Sequence, residues 1–284
     1  MTALGSMVQE GAARLERGPH AERARRDAET LLLHLFSGKN RAWLVSHADK
    51  KLSDEQAGRY AALLERRHKG EPIQYITGEA EFYGLPFLVT SEVLIPRPET
   101  EHLVEKVIEL APLFRGPRIV DVGTGSGAIA IALAHEWPDA VITATDVSRS
   151  ALDLARRNAE RIGFADRIRL VEGDLLAPVQ GERFDFVVSN PPYVPTADRD
   201  SLSVEVRDHE PALALFAGDD GLDVYRRLIP DAFSVLEAGG FLALEIGYGQ
   251  SEAVAAQLAE AGFGRIEFAP DLQGIARVAC GQRM

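Results

Sequence analysis

The sequence contains one cysteine, Cys280, among its 284 residues. A single thiol excludes an internal disulfide and any metal site built from several cysteines. Long apolar runs are also absent, since none approaches the roughly 20 residues that a membrane-spanning helix needs. Residues 1–10 lack the basic segment and the apolar stretch of a signal peptide. These absences predict a cytoplasmic protein without a membrane segment.

An excess of basic charge is missing from most of the chain. The net charge is −12, and residues 1–90 carry 13 Lys and Arg against 12 Asp and Glu. The acidic excess therefore lies in residues 91–284. A domain that binds a nucleic-acid backbone usually presents a basic face. The charge distribution thus favours a partner other than DNA or RNA, although it leaves room for a local basic patch.

Metal-ligand spacing is missing as well. None of the seven histidines forms, with another histidine or acid, a spacing that indicates a metal site. We therefore expect no metal centre.

The apolar fraction of 46% and the charged fraction of 26% are typical of a globular protein with a sizeable core. Residues 1–70 contain three stretches with helical spacing, at 2–17, 21–37 and 53–69. Helices this short cannot bury an apolar face alone, so we expect them to pack as a small bundle. We assign residues 1–70 the role of docking the substrate. The arginines of this bundle form either a solvated face or the docking surface itself: Arg14, Arg17, Arg23, Arg25 and Arg26.

Residues 71–95 are predicted to link two modules. Glu71–Gly78 has no helical period and is bounded by Pro and Gly. Two short apolar runs on either side of Gly84 indicate a β-hairpin. The second module then comprises residues 96–284.

Residues 96–284 are predicted to form an α/β domain around a seven-stranded sheet. Apolar runs bounded by turn residues predict its strands, at 118–122, 141–144, 168–172, 184–188, 240–246, 265–268 and 275–280. The last two are expected to close the sheet as an antiparallel hairpin. A helix begins at Pro98, and beside it Arg97 and Thr100 are either structural residues or supports of a nearby site.

A glycine-rich turn follows the first of these strands, where residues 121–127 read D-V-G-T-G-S-G. A strand, such a turn and a helix together are typical of a dinucleotide- or nucleoside-binding unit. Glycines permit left-handed backbone angles and let a ligand approach closely. The candidate cofactor-binding residues are Gly123, Thr124, Gly125, Ser126 and Gly127. No lysine follows the last glycine, which argues against a phosphate-binding P-loop.

Acidic residues follow the next two strands. Asp146 is placed to accept hydrogen bonds from ribose hydroxyls, or else serves as an acid at a helix N-terminus. Asp174 and Leu175 can bind and cover a purine base, or can equally be a turn aspartate and a core leucine.

The fourth strand ends in Asn190-Pro191-Pro192-Tyr193. The prolines end the strand because they lack the N–H that a ladder requires. The turn therefore presents a carboxamide and an aromatic ring at the edge where open α/β sheets bind ligands. The alternative is an ordinary Pro-rich turn. Residues 194–210 look polar and irregular, and we expect this loop to order over a substrate.

In these motifs the chain resembles an S-adenosylmethionine-dependent methyltransferase of the Rossmann-like class. Within that class it resembles the HemK/PrmC-type N5-glutamine methyltransferases of peptide chain release factors. The resemblance extends to Q-Y-I-T-G at 74–78, F-Y-G-L-P-F at 82–87, L-I-P-R-P-E-T-E at 94–101 and E-P-A-L-A-L-F at 210–216. The P-R-P-E at 96–99 favours release factors over the sister family that modifies a ribosomal protein. Residues 274–278 depart from the usual G-R-D-R-V, which puts a local salt bridge in doubt.

The resemblance implies an enzyme that methylates the side-chain nitrogen of a release-factor glutamine. We expect this enzyme to be a monomer. The resemblance also implies that Asn190 and the Pro191 carbonyl accept hydrogen bonds from the substrate NH2 and that Tyr193 lies on its amide plane. Pro192 is also expected to contact the substrate, and Asn190 also to contact the cofactor. Two other functions stay open from the sequence. One is a nucleic-acid amino methyltransferase, which needs similar acceptors, and the other is a cofactor-binding module without catalysis.

Overall fold

The structure is a computed structural model that describes residues 2–284, and it divides into two compact units. The helical unit comprises Met1–Gly78 and Leu202–His209. The sheet unit comprises Glu79–Ser201 and Glu210–Met284. The functional division predicted at residues 70 and 95 stays a prediction, since compactness alone does not define what each part does.

The helices are α1 Leu4–Leu15, α2 Ala24–His34, α3 Arg41–Ser46, α4 Asp54–His68, α5 Ile73–Thr77, α6 Pro98–Glu109, α7 Ala128–Glu136, α8 Arg149–Ile162, α9 Val204–His209, α10 Asp223–Val235 and α11 Ser251–Glu260. The strands are β1 Glu79–Phe82, β2 Leu85–Leu88, β3 Arg118–Val122, β4 Val141–Asp146, β5 Ile168–Glu172, β6 Phe184–Ser189, β7 Leu236–Glu245, β8 Phe263–Pro270 and β9 Ala276–Arg283. Within residues 2–284, no helix is both long and apolar enough to cross a membrane.

In the helical unit, α1, α2 and α4 confirm the three predicted stretches. Their apolar faces enclose a core that includes Leu4, Leu31 and Tyr60. A capping box opens α4: Gln56 N–H donates to the Ser53 hydroxyl at 3.2 Å, and Ser53 N–H donates to the Gln56 side chain at 3.1 Å. These reciprocal bonds satisfy two backbone donors that the helix itself leaves unpaired.

Three short helices of this unit were not predicted from the sequence: α3, α5 and α9. The expectation that Glu71–Gly78 is non-helical was wrong, because α5 occupies Ile73–Thr77 and ends at Gly78 with a φ of 78°. The six-residue α3 also escaped prediction. A helix of five or six residues makes fewer than two turns, so it has no periodicity to detect.

The sheet unit confirms the predicted α/β architecture. Its seven strands are ordered β5-β4-β3-β6-β7-β9-β8. The first five are parallel to one another, and β9 runs antiparallel to both of its neighbours, β7 and β8. The chain runs outward from β3 to β5, then returns to the other side of β3 with β6. The carboxyl ends of β3 and β6 therefore lie side by side at the point where ligands bind such sheets. The separate hairpin β1–β2 is also present as predicted.

The segment after β6 differs from the irregular loop that was expected. A 3-10 helix occupies Thr196–Ser201, and α9 follows at Val204–His209. Both elements are too short for sequence periodicity, and α9 belongs to the helical unit. The expectation of a wholly irregular loop was thus wrong, and its ordering over a substrate stays a prediction.

Candidate active site

The candidate site lies at the carboxyl edge of the parallel strands. Strand register aligns Val122 with Thr145, Asp146 with Glu172, and Ser189 with Leu244. The turns that follow these residues consequently meet at one edge, although they are distant in sequence. A cavity of about 300 Å³ opens there, entirely within the sheet unit.

The glycine loop forms one wall of this cavity. Gly123 and Gly125 have φ values of 72° and 55°, and a Cβ on either would point into open space. Gly127 has a different role, because a Cβ there would lie 3.2 Å from Ala155 Cβ and Ile131 Cδ1. The first two glycines thus leave the backbone accessible to a ligand, and the third lets α7 pack closely against its neighbours.

Asp121 lies beneath the loop and was not singled out from the sequence. It is fully buried, and its Oδ2 accepts a hydrogen bond from the Thr124 hydroxyl at 2.6 Å. Its Oδ1 has no hydrogen-bond partner among residues 2–284. Burial raises the pKa of Asp121 to about 7, although the bond from Thr124 opposes the rise. The feature of the sequence that could have identified Asp121 is its position as the first residue of the D-V-G-T-G-S-G motif.

Asp146 lines the cavity and supports the glycine loop. Its two carboxylate oxygens accept the backbone N–H groups of Gly125 and Ser148, both at 2.9 Å. Burial raises the pKa of Asp146, and these backbone bonds lower it in part. Each oxygen retains a second lone pair, so the carboxylate can also accept from a ligand hydroxyl.

Asp174 and Leu175 line the same cavity after β5. The Asp174 carboxylate pairs with Arg227, and both side chains are more than half exposed. Leu175 has a φ of 49°, and its carbonyl accepts a hydrogen bond from the Thr145 hydroxyl at 3.0 Å. A left-handed leucine is strained, and such strain is concentrated at ligand sites.

Asn190 reaches the cavity from the end of β6. Its Nδ2 donates to the Thr100 hydroxyl at 3.0 Å, and that hydroxyl donates to Glu245 Oε2 at 2.5 Å. The Tyr193 hydroxyl lies 3.2 Å from Glu245 Oε1. Burial raises the pKa of Glu245, which the bonds from Thr100 and Tyr193 partly offset. Burial, followed by the nearby Glu245, raises the pKa of Tyr193, which keeps its hydroxyl protonated.

The predicted N-P-P-Y residues do not all face the cavity. Asn190 and Pro192 line it, whereas Pro191 and Tyr193 are not among its lining residues. The Tyr193 ring lies against Gly247, where a Cβ would come within 3.0 Å of its Cδ2. The Tyr193 carbonyl accepts from Gln250 Nε2 at 3.0 Å. The structure thus brings Asn190 and the glycine loop to one cavity and anchors Tyr193 behind it.

Arg97 and Thr100 both line the cavity. Arg97 Nη2 donates to both carboxylate oxygens of Glu210, at 2.7 and 2.6 Å. Arg97 therefore ties the start of α6 to the chain that follows α9. Glu245 was missed altogether, because its place beside Asn190 depends on β7 pairing with β6.

The strand order, the glycine loop and the acid after the second strand define a Rossmann-like domain that binds a nucleoside-containing cofactor. The match of this domain to a methyltransferase family model identifies it as a methyltransferase that uses S-adenosylmethionine. Residues 6–78 match the family model of the PrmC N-terminal domain, and residues 99–206 match that of the methyltransferase small domain. A methyltransferase from Pyrococcus furiosus shares the fold, with a TM-score of 0.53 and 21% identity over 70% of this chain and 89% of that one.

Two curated relatives narrow the class to a family. The chain is 45% identical over 261 residues to the release factor glutamine methyltransferase of Geobacter sulfurreducens, covering 92% of this chain and 90% of the relative. It is 47% identical over 252 residues to the release factor glutamine methyltransferase of Moorella thermoacetica, covering 89% of this chain and 87% of the relative. The chain belongs to the release factor glutamine methyltransferase family.

The residues of the cavity fit S-adenosylmethionine. Open space at Gly123 and Gly125 leaves room for a ligand against the backbone, and Asp146 retains acceptor capacity for hydroxyl groups. The rest of the wall is largely apolar and includes Phe82, Val93, Leu213 and Phe216. Such a wall with few polar groups is typical of cofactor sites.

Proposed function

We propose that Asn190 holds the side-chain amide of a release-factor glutamine against S-adenosylmethionine, so that the enzyme methylates the glutamine N5 atom. Family membership gives the reaction and the substrate class. The observation that carries the residue assignment is that the Asn190 carboxamide and the glycine loop line the same cavity.

An amide nitrogen is a weak nucleophile because its lone pair is delocalised into the carbonyl. When bound, S-adenosylmethionine supplies a methyl carbon on a positively charged sulfur; the N–C bond forms as the S–C bond breaks with its electrons on sulfur, and the nitrogen releases one proton. The protein accordingly contributes mainly alignment, for which effective molarities of about 10⁵ M or more are known. Acceptor oxygens facing the NH2 group also stabilise positive charge that develops on nitrogen.

Asn190 Nδ2 is engaged by Thr100, which leaves the Asn190 Oδ1 atom to accept from the substrate. We assign the second acceptor to the Pro191 carbonyl and the surface beside the amide plane to Pro192 and Tyr193. Tyr193 lies outside the cavity wall in this structure, so its contact with substrate requires that the bound peptide reach the ring.

For the cofactor, we assign the ribose hydroxyls to Asp146 and the base to Asp174 and Leu175. Support comes from their shared position on the cavity wall and from the strained backbone of Leu175. Thr124 and Ser126, which are buried, shape the glycine loop around the ligand. Base binding by Asp174 requires that it share its carboxylate with Arg227.

We further propose that the enzyme acts as a monomer in the cytoplasm, on protein rather than nucleic acid, with the helical unit docking the release factor. The acidic excess of residues 91–284 supports a protein substrate. Methyl transfer to purified release factor, compared with DNA and ribosomal RNA, tests this choice. Methylation of nucleic acid alone would overturn it.

Substitution of Asn190 by alanine tests the residue assignment. We expect Asn190→Ala to lower methyl transfer by about 100-fold or more, the magnitude typical of a lost transition-state contact. Calorimetry should show nearly unchanged S-adenosylmethionine affinity. The exposed Gln273→Ala is the matched control. Unchanged turnover in Asn190→Ala, measured by mass spectrometry of the release-factor glutamine, would remove the proposed role.

Asp146→Ala should act on cofactor binding first. We expect the dissociation constant of S-adenosylmethionine to rise about tenfold or more, since both the ribose contact and the support of Gly125 are lost. The exposed Asp166→Ala carries the same change of charge away from the cavity and should bind normally. Equal affinity of the two variants would contradict the ribose assignment.

A further inference from the structure

Two buried polar side chains lie directly behind Asn190. Thr100 belongs to the first turn of α6 and Glu245 ends β7, and they are 4% and 2% exposed. Because Ser189 pairs with Leu244, the next residues along the two parallel strands, Asn190 and Glu245, lie next to each other. Burying a charge costs free energy unless the charge is paired and hydrogen-bonded. The hydrogen bonds of the Glu245 carboxylate therefore need an explanation.

The hydrogen bonds between these residues have a fixed direction. An ionised carboxylate only accepts hydrogen bonds, and a threonine hydroxyl has one proton to donate. Thr100 gives that proton to Glu245 Oε2 at 2.5 Å, so toward Asn190 it can only accept. The Asn190 atom that lies 3.0 Å from the Thr100 hydroxyl must therefore be the donor Nδ2, and this is the orientation found in the structure. In the reverse orientation of the amide, two acceptors would face each other.

We propose that Thr100 and Glu245 are positioning residues that fix the orientation of the Asn190 amide and thereby select a substrate group that donates hydrogen bonds. This inference rests on the proposed role of Asn190 in methyl transfer. With Nδ2 held by Thr100, Asn190 presents its Oδ1 acceptor to the cavity and favours an NH2 group over a carbonyl. The carboxylate also polarises the chain of hydrogen bonds, which strengthens the acceptor that faces the reacting nitrogen.

The same carboxylate holds the other N-P-P-Y side chain. Glu245 Oε1 accepts from the Tyr193 hydroxyl at 3.2 Å, while Oε2 serves Thr100. The Tyr225 hydroxyl donates to the Glu245 backbone carbonyl at 2.9 Å and helps fix the end of β7. One buried acid thus orients two side chains of the proposed substrate site.

Thr100→Val provides the first test, because valine keeps the shape of threonine and lacks the hydroxyl. We expect kcat for release-factor methylation to fall about 10- to 100-fold, as for one lost buried hydrogen bond. The KM for the release factor and the affinity for S-adenosylmethionine should change less than about threefold. Thr100→Ser retains the hydroxyl and should recover most of the lost kcat. Equal kcat for Thr100→Val and wild type, or equal losses in the valine and serine variants, would overturn the inference.

Glu245→Gln provides a second test that does not depend on the first variant folding. Glutamine keeps the size of the side chain and can either accept from or donate to Thr100, so it no longer fixes the direction of the chain. We expect a kcat decrease of similar size to that of Thr100→Val, with cofactor affinity retained. Wild-type kcat in a folded Glu245→Gln variant would contradict the proposal.

A double variant distinguishes this inference from the proposed function. If Thr100 acts through Asn190, then Thr100→Val added to Asn190→Ala should lower the residual rate by less than about twofold. Fully additive losses would refute positioning through Asn190. If Asn190→Ala itself keeps full activity, the proposed function of Asn190 fails and this inference fails with it. If Asn190→Ala is inactive while Thr100→Val and Glu245→Gln are fully active, only the inference fails.

Discussion

Among single side chains, the buried carboxyl of Asp121 should make stability depend on pH. The folded-state pKa is raised to about 7, whereas an unfolded aspartate titrates near 3.9. Between these values the folded protein binds more protons than the unfolded chain, so this residue makes the free energy of unfolding fall as pH rises. Below the pKa of the unfolded aspartate, Asp121 no longer makes stability depend on pH. Above the folded-state pKa, the full destabilisation from ionising the buried carboxyl is present.

Substitution by asparagine isolates this contribution. Asp121→Asn keeps an oxygen for the Thr124 hydroxyl but cannot ionise. We expect the free energy of unfolding of the variant, relative to wild type, to rise by about 2–4 kcal/mol between pH 4 and pH 8. Urea denaturation at several pH values measures this difference. A difference that is constant over the range would show that the Asp121 pKa is not raised.

The sequence predicted the candidate site residues that directly follow strands. It assigned no definite role to residues that meet only through the pairing and packing of distant elements. Gly123, Asp146 and Asn190 are recognisable because each stands just after an apolar run. Thr100 and Glu245 are separated by 145 residues, and their contact depends on strand order and on the packing of α6. No local pattern carries that information, so the sequence assigns no definite role to Thr100 and gives no indication of Glu245.

Among the helices, a buried arginine holds α9 to α4 and α2 in the helical unit. Arg67 Nε donates to Asp27 Oδ2 at 2.6 Å, and Arg67 also pairs with Glu205. Its side chain is 1% exposed. Arg67 Nη1 donates to the Glu71 carbonyl at 2.9 Å, which fixes the chain before α5. This cluster anchors the short α9 within the helical unit.

Removal of this arginine should destabilise the protein strongly. Arg67→Met leaves Asp27 buried without its cation, and breaking such a pair costs about 3–5 kcal/mol. Arg66 is the matched control, because its pair with Glu71 is far more exposed. We expect Arg66→Met to cost less than about 1 kcal/mol. Urea denaturation of both variants measures the contrast, and similar losses would argue that the buried cluster contributes nothing special.

The longer elements were predictable for a physical reason that does not extend to the short ones. Helices α1, α2 and α4 each make three or more turns, so their apolar spacing is visible in the sequence. The central parallel strands β3, β4 and β6 appear as largely apolar runs because both of their faces are buried, whereas the edge strand β5 is only partly buried. In contrast, α5 and α9 depend on contacts from distant residues.

The chain as a whole passes between the two units more than once. After the N-P-P-Y turn it leaves the sheet unit at Ser201, contributes Leu202–His209 to the helical unit, and returns at Glu210. The sequence indicated a helical module and an α/β module, and it gave no sign of this excursion. Such an excursion depends on packing between distant parts of the chain, which no local pattern reports, and the participation of the helical unit in binding the release factor stays a proposal.

Charge reversal on the helical unit tests that participation. Arg17 and Arg26 are exposed arginines of the predicted docking face. If this face binds the release factor, the double variant Arg17→Glu and Arg26→Glu should raise the KM for the release factor about threefold to tenfold, more so at low salt. kcat and S-adenosylmethionine affinity should change little, since neither arginine lines the cavity.

Arg157→Glu on the exposed face of α8 is the control, because it reverses a charge on the sheet unit. A KM that rises equally in the control would indicate a general charge effect, and an unchanged KM in the double variant would mean that these arginines are only a solvated face.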